Sequence, residues 1–283
     1  MQYNLNLPMN PVESIKTRKS SRTYIPVNIR QPERNTLLDY INTCNIGLFK
    51  DSFNFQLIEH EGSDLRKMKN DYGLIVNHRN YLFAGVKDLA DARLSYGYLL
   101  EKIVLKAVSL GIDSCWMGLF DPWFFTEVKP VEGESIPAIV ILGYATERRP
   151  WKEKLIRYAV RASGRKPWES LFFKDDFTTS LSKLEAGKYA EVLEMTRLSP
   201  SAGNAQPWRV FKEKEKDVFH FYKEAVNPRY DKKGLHDVDL GICLSHFELS
   251  AIHIGLCGRW LKEDPRLISN SRSLEYKLSW IGE

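Results

Sequence analysis

Leu198-Ser-Pro-Ser-Ala-Gly-Asn-Ala-Gln-Pro-Trp208 is the stretch on which the reading of this chain turns. It lies between an apolar helix-like run and the strand-like Trp208-Arg-Val-Phe211. Ser201, Asn204 and Gln206 offer donors and acceptors at close spacing. Gly203 lets backbone come near a ligand, and Pro207 fixes the exit into the strand. Such a loop suits a flat ligand with a polar edge. The local residues alone do not separate this from an ordinary αβ connection rich in turn formers.

The 283 residues are enough for one large core or two small ones. With 43% hydrophobic and 27% charged residues the chain reads as globular. It has no apolar run of about 18 residues, so no membrane span is expected. The first ten residues lack a basic segment followed by an apolar one, so no signal peptide is expected and the cytoplasm is the expected compartment. Cys44, Cys115, Cys243 and Cys257 are scattered and read as buried free thiols. A net charge of +5 suits an anionic cofactor or substrate. It is too dilute for a nucleic-acid surface.

Outward from the loop, an order of elements occurs twice. Asn10 and Pro11 start a short helix that runs into a basic turn, Arg18-Lys-Ser-Ser-Arg22. Pro32 to Cys44 reads as a helix, and Phe53 to Ile58 alternates as a strand. Asp88 to Leu110 is apolar all round, the mark of a buried helix, and Gly111 ends it. Pro137 to Gly143 has central-strand character. Glu147 to Lys174 is charge-rich and irregular, with basic Arg161, Arg165 and Lys166. Then Leu184 to Leu198 reads as helix, Trp208 to Phe211 as strand, Asp237 to Ile254 as helix and Leu278 to Gly282 as strand. Leu100, Leu105, Ala107, Gly111 and Trp116 match Leu244, Leu249, Ala251, Gly255 and Trp260 at one offset, 144 (244 − 100). Phe53 and Phe55 match Trp208 and Val210 at 155 (208 − 53), and Gly143 matches Gly282 at 139 (282 − 143). Two related halves on a shared core follow.

The basic turn holds two guanidiniums, an ammonium and two hydroxyls in five residues, a donor set that matches a phosphate dianion. Alone, such a turn is more usually solvated surface. Taken with the polar loop, with Gly111-Ile-Asp-Ser-Cys-Trp-Met-Gly118 and with Gly164-Arg-Lys-Pro-Trp-Glu169, it resembles the FMN-dependent nitroreductase family over nearly the whole chain. That family carries an R-x-S-x-R-type segment, a P-S-S-x-N-x-Q-P-W loop, a helix ending in G-L-G/D-x-x-W-x-G, and a basic segment followed by P-L-E. Ala202 replaces the second Ser of the loop. The loop is also displaced: at its usual place after the basic turn stands Thr43-Cys-Asn-Ile-Gly-Leu-Phe-Lys-Asp-Ser-Phe53, without the motif.

The resemblance implies an α+β fold, a mixed β-sheet flanked by helices, with two related halves fused in one chain. Residues 1–178 would form the first half and 179–283 a degenerate second half that supplies the loop. It implies one FMN per chain, because family dimers build each site from both subunits and only one combination keeps its parts here. Such a fused chain need not dimerise. By resemblance, Arg18, Ser20, Arg165 and Lys166 hold the phosphate and lower ribityl chain. Lys19 and Arg22 lie near the pyrimidine edge. Backbone at Met117, Gly118 and Leu119 faces N5 and O4. Pro200, Ser201, Ala202, Asn204 and Gln206 pack on the dimethylbenzene and ring edges. The implied reaction carries hydride from NAD(P)H through the flavin to a nitroaromatic, quinone or similar flat acceptor, with no catalytic side chain. The alternative is a flavin-binding protein without turnover, serving as sensor, carrier or scaffold. Beside these, Trp116 and Trp260 read as core aromatics, His246 and His253 as packed or half-exposed residues without metal-ligand partners, and Asp237 and Asp239 as marks of a helix start.

Overall fold

The computed structural model describes residues 9–59, 75–118, 132–146, 164–266 and 274–283. Helix α1 (Pro11–Thr17) starts as its sequence demands: the Asn10 side chain accepts from Glu13 N at 3.1 Å, and Pro11 takes the first position. Then come α2 (Gln31–Thr43), β1 (Gln56–Glu59), β2 (Asn80–Phe83), β3 (Val86–Lys87), the long α3 (Ala90–Ser109), β4 (Asp113–Met117), β5 (Glu134–Ser135) and β6 (Ile139–Gly143). A second run follows with β7 (Phe172–Lys174), β8 (Asp176–Ser180), α4 (Lys183–Ala186), α5 (Ala190–Arg197), β9 (Trp208–Lys212), β10 (Val218–Glu224), α6 (Pro228–Lys232), α7 (Leu235–His253), β11 (Gly258–Leu261) and β12 (Leu274–Gly282).

The fold is α+β, and its two halves repeat one topology. The first main sheet has the order β1-β2-β6-β4, and the second contains β9-β10-β12-β11. Every neighbouring pair in both sets is antiparallel. In each of these four-strand sets two strands precede the long helix and two follow it. The ladders fix the correspondence. Trp116 opposes Val140 as Trp260 opposes Trp280. Gln56 opposes Phe83 as Phe211 opposes His220, so the first strands match at 155 (211 − 56). Ser114 opposes Leu142 as Gly258 opposes Gly282, so the last strands match at 140 (282 − 142). The expected alignment of Gly143 with Gly282 is therefore one residue out; the two glycines coincide only in type.

The sheets differ at one edge. β7 pairs in parallel with β9, Phe172 opposite Val210, and β8 folds back antiparallel on β7. The end of the expected first half thus extends the sheet of the second, giving it six strands, and the expected 178/179 boundary falls within β8. Sequence reading left this stretch irregular, because the strands are short and carry charge. It also ran Leu184 to Leu198 as one helix, whereas Gly187, at φ 56°, separates α4 from α5. The first-sheet strand begins at Gln56 rather than Phe53. Cys44, Cys115 and Cys243 are buried free thiols as expected, but Cys257 is exposed.

The halves meet where α3 crosses α7. Both are buried almost all round, as their apolar sequences require. A Cβ on Gly97 would lie 2.1 Å from the Val238 carbonyl oxygen, and a Cβ on Gly241 would lie 2.1 Å from that of Leu94. These contacts are reciprocal, since 241 − 97 and 238 − 94 both give 144. This is the signature of a two-fold axis, here within one chain. Leu100, Val104, Leu244, Phe247, Trp208 and Trp280 pack around it in one continuous core.

Gly97→Ala or Gly241→Ala must push the helix backbones apart. Each is expected to cost about 3 kcal/mol or more in urea unfolding. The double variant is expected to cost clearly less than the sum, because one separation relieves both contacts.

Candidate cofactor site

The loop after α5 is held in a conformation its residues do not adopt freely. Gly203, Asn204 and Gln206 all have positive φ, at 56°, 56° and 45°. For Asn204 and Gln206 this is uphill and needs support from their surroundings. The support is explicit. Ala202 N donates to Asp239 Oδ1 at 2.8 Å. Gln206 N donates to Ser201 Oγ at 2.9 Å. The buried Gln206 side chain donates to the Arg197 carbonyl at 3.0 Å and accepts from Lys166 N at 2.6 Å. Lys166 Nζ donates to the Gln206 carbonyl at 3.3 Å. Arg165 donates to the Leu198 carbonyl at 3.1 and 3.3 Å and to Asn204 Oδ1 at 2.7 Å. A Cβ on Gly203 would sit 2.7 Å from Tyr230, so the loop closes against α6 only with glycine there.

The structure therefore brings Arg165 and Lys166 to the loop of Pro200, Ser201, Ala202, Asn204 and Gln206. It also shows these two basic residues clamping the loop, with Gln206 turned inward rather than toward a ligand. Asp239, read from sequence as a helix-start residue, is the loop's anchor on α7. Its other oxygen faces His236 Nδ1 at 3.2 Å, while His236 Nε2 accepts from Asn227 N at 3.2 Å. The imidazole is thus protonated on Nδ1, the nitrogen that donates to Asp239. Burial pushes the Asp239 carboxyl up, against these donors. The first half repeats the device at the same offset (239 − 95): Leu48 N donates to Ser95 Oγ at 3.1 Å. The loop position survives there without the motif.

The basic turn is laid along β4. Ser20 forms a parallel bridge with Ser114, Ser21 N donates to the Ser114 carbonyl at 3.0 Å, and Ser21 Oγ donates to Asp113 Oδ1 at 2.9 Å. The other end of β4 carries Met117, buried in a cluster with Tyr24 and Tyr81, and then Gly118. A Cβ on Gly118 would meet Leu235, the first residue of α7, at 2.9 Å. Leu119 and Arg161 lie outside the described residues. Lys19 is exposed. Arg18 is not: its side chain is 5% accessible, and its Nε and Nη1 are buried without a hydrogen-bond partner among the described residues. Arg22 Nη1 is buried in the same way.

Arg18 and Arg165 carry only donors and cannot bond each other directly. What connects their surroundings is packing, with Leu198 resting on Val12 and Ile15 of α1 and on Leu105 and Leu249. The buried, unsatisfied Arg18 guanidinium is the feature that fits an anion, since sealed donors of a charged group are costly without an acceptor. The set offers positive charge, hydroxyls and a shaped loop. No group of three His, Cys, Asp or Glu suited to a metal ion occurs among the described residues, and no described helix is long and apolar enough to cross a membrane.

Sequence reading missed Glu101 and gave His246 only a packing role. Both are fully buried, their side chains 2.9 Å apart. An acid inside the apolar run of α3 was the available signal. Trp116 and Trp260, expected in the core, are only partly buried and pack against it, each with its indole N–H on a glutamate.

A crystal structure of a "putative nitroreductase" from Thermotoga maritima MSB8 is similar at 21% identity and a TM-score of 0.62, covering 96% of this chain and 94% of that one. A nitroreductase with bound FMN from Bacteroides fragilis covers 50% of this chain and 91% of its own, at 20% identity and a TM-score of 0.40. One from Desulfitobacterium hafniense, also with bound FMN, covers 50% and 93%, at 16% identity and 0.40. No curated protein matches. The family described as "Putative TM nitroreductase" matches residues 10–251, and the chain belongs to that family.

Proposed function

We propose that the chain is a flavin-dependent oxidoreductase that binds one FMN and passes hydride or electrons from NAD(P)H to a nitroaromatic, quinone or similar flat acceptor. The observation that carries the reading is the buried Arg18 guanidinium, with donors left open in the turn that resembles the family's phosphate arm. Membership of a nitroreductase family supports the reaction class.

FMN, when bound, would supply the hydride and electron chemistry. The protein's own part is binding and charge. Arg18 and Ser20 would hold the phosphate. Arg165 and Lys166 would serve that end of the site chiefly by fixing the loop. Lys19 and Arg22 would place positive charge at the pyrimidine edge, favouring negative charge there. Backbone at Met117 to Leu119 would line the ring's reactive edge. Pro200, Ser201, Ala202 and Asn204 would close the dimethylbenzene side from the second half, and Gln206 would hold that wall in place. One such combination exists per chain, because the 43–53 loop keeps its tether to Ser95 but lacks the motif. The chain would then correspond to a family dimer in one polypeptide, with residues 1–178 and 179–283 as its two members.

Purified protein is expected to show flavin absorbance bands and to release one FMN per chain on denaturation. Flavin-free protein that takes up no FMN, or two per chain, would sink the reading. Arg18→Ala should weaken FMN binding about 10- to 100-fold by removing a charge-assisted contact. Arg165→Ala should weaken it through the freed loop, and should also raise protease cleavage within 198–206. Under anaerobic conditions NADH or NADPH should bleach the bound flavin. Flavin that stays oxidised with both reductants would instead support binding without turnover.

A further inference from the structure

Glu101 lies at the crossing of α3 and α7, fully buried. Its Oε2 accepts from Trp116 Nε1 at 2.7 Å. Its Oε1 lies 2.9 Å from His246 Nε2. The other ring nitrogen of His246, Nδ1, lies 3.1 Å from the Met195 carbonyl oxygen. A carbonyl only accepts, so Nδ1 carries a proton. Between Nε2 and Oε1 a second proton is required. Without it a lone pair would face a carboxylate at 2.9 Å, sealed from water. Whether that proton sits on nitrogen or oxygen, Glu101 and His246 together are neutral.

Arg18 Nε is 4.0 Å from the same Oε1, beyond hydrogen-bond reach of an oxygen already engaged by His246. The guanidinium is always charged. The charge count of the three buried side chains therefore leaves one positive charge uncancelled, whichever way the proton lies.

The two-fold relation supplies an internal comparison. Moving by 144 residues takes Trp116 to Trp260 and Lys102 to His246. Around Trp260 the indole donates to Glu248 Oε1 at 3.0 Å, and Lys102 Nζ donates to Glu248 Oε2 at 2.7 Å. The Tyr98 hydroxyl donates to the same carboxylate. One ammonium meets one carboxylate, and the charge closes. Within this group of described side chains no charge is left over.

We propose that His246 is a positioning residue for anion binding: by sharing a proton with Glu101 it keeps that carboxylate from cancelling Arg18, whose charge stays available for the phosphate monoester of the flavin. The inference rests on the FMN reading above. Without His246, Glu101 is an uncompensated carboxylate. Arg18 then closes on it, and a phosphate must compete with an internal ion pair.

The full chain, freed of bound flavin, is titrated with FMN and with riboflavin, which lacks the phosphate. Fluorescence quenching reports both affinities. In the wild type FMN should bind more tightly than riboflavin. His246→Gln should lower FMN affinity about 10- to 100-fold, the scale of a charged hydrogen bond, and leave riboflavin affinity unchanged. Glu101→Gln should keep the FMN preference, because it removes the competing carboxylate. Glu101→Gln/His246→Gln should restore what His246→Gln loses. An unchanged preference in His246→Gln, a parallel fall for both flavins, or a double variant that stays weak would each overturn the proposal while leaving FMN binding by the wild type intact. A wild type that takes up neither flavin would remove the function reading and this inference with it.

Discussion

Everything in this molecule is arranged about two glycines. Gly97 and Gly241 let α3 and α7 approach until each backbone meets a carbonyl of the other. No side chain fits there, so the spacing is set by main chain. From that crossing the two sheets and the described charged clusters take their places. Asp239 and Ser95, each holding a loop backbone, are related by the same axis. So are Trp116 and Trp260. The internal symmetry is most faithful where packing is tightest and fades outward, as expected when close-packed contacts tolerate few substitutions.

The sequence carried much of this. The length and all-round apolarity of α3 and α7 marked them as central, and the glycines after them set a common offset. The strand match of Phe53 and Phe55 with Trp208 and Val210 agrees with the ladder register, although regular pairing starts only at Gln56. The strands β7 and β8 were not legible. They are short and charged, and they exist because β9 offers an edge far along the chain. Local pattern cannot express that kind of tertiary demand.

At the site the balance differs. The loop, the basic turn and the Arg165–Lys166 pair were visible as donor-rich segments, and two of the three meet. Their division of labour was not visible. Gln206 has the look of a ligand contact in sequence, yet its amide is satisfied by Arg197 and Lys166. Asp239 has the look of a helix-start acid, yet it bonds the loop. A side chain's chemistry can be read from its letter, but its partner depends on which elements the fold brings beside it. His246 shows this most clearly: its significance comes from Glu101 on another helix.

The reciprocal glycine contact has a further consequence for how such a molecule can change. In a pair of identical chains, any substitution lands on both sides of the axis at once. Here it lands once. Lys102 and His246 occupy related positions yet carry different chemistry, which a symmetric pair could not encode. Only the crossing itself stays bound to both copies, since Gly97 and Gly241 guard the same gap. A single chain of this design can therefore carry two different sets of charges at related positions, while keeping one shared helix crossing between them.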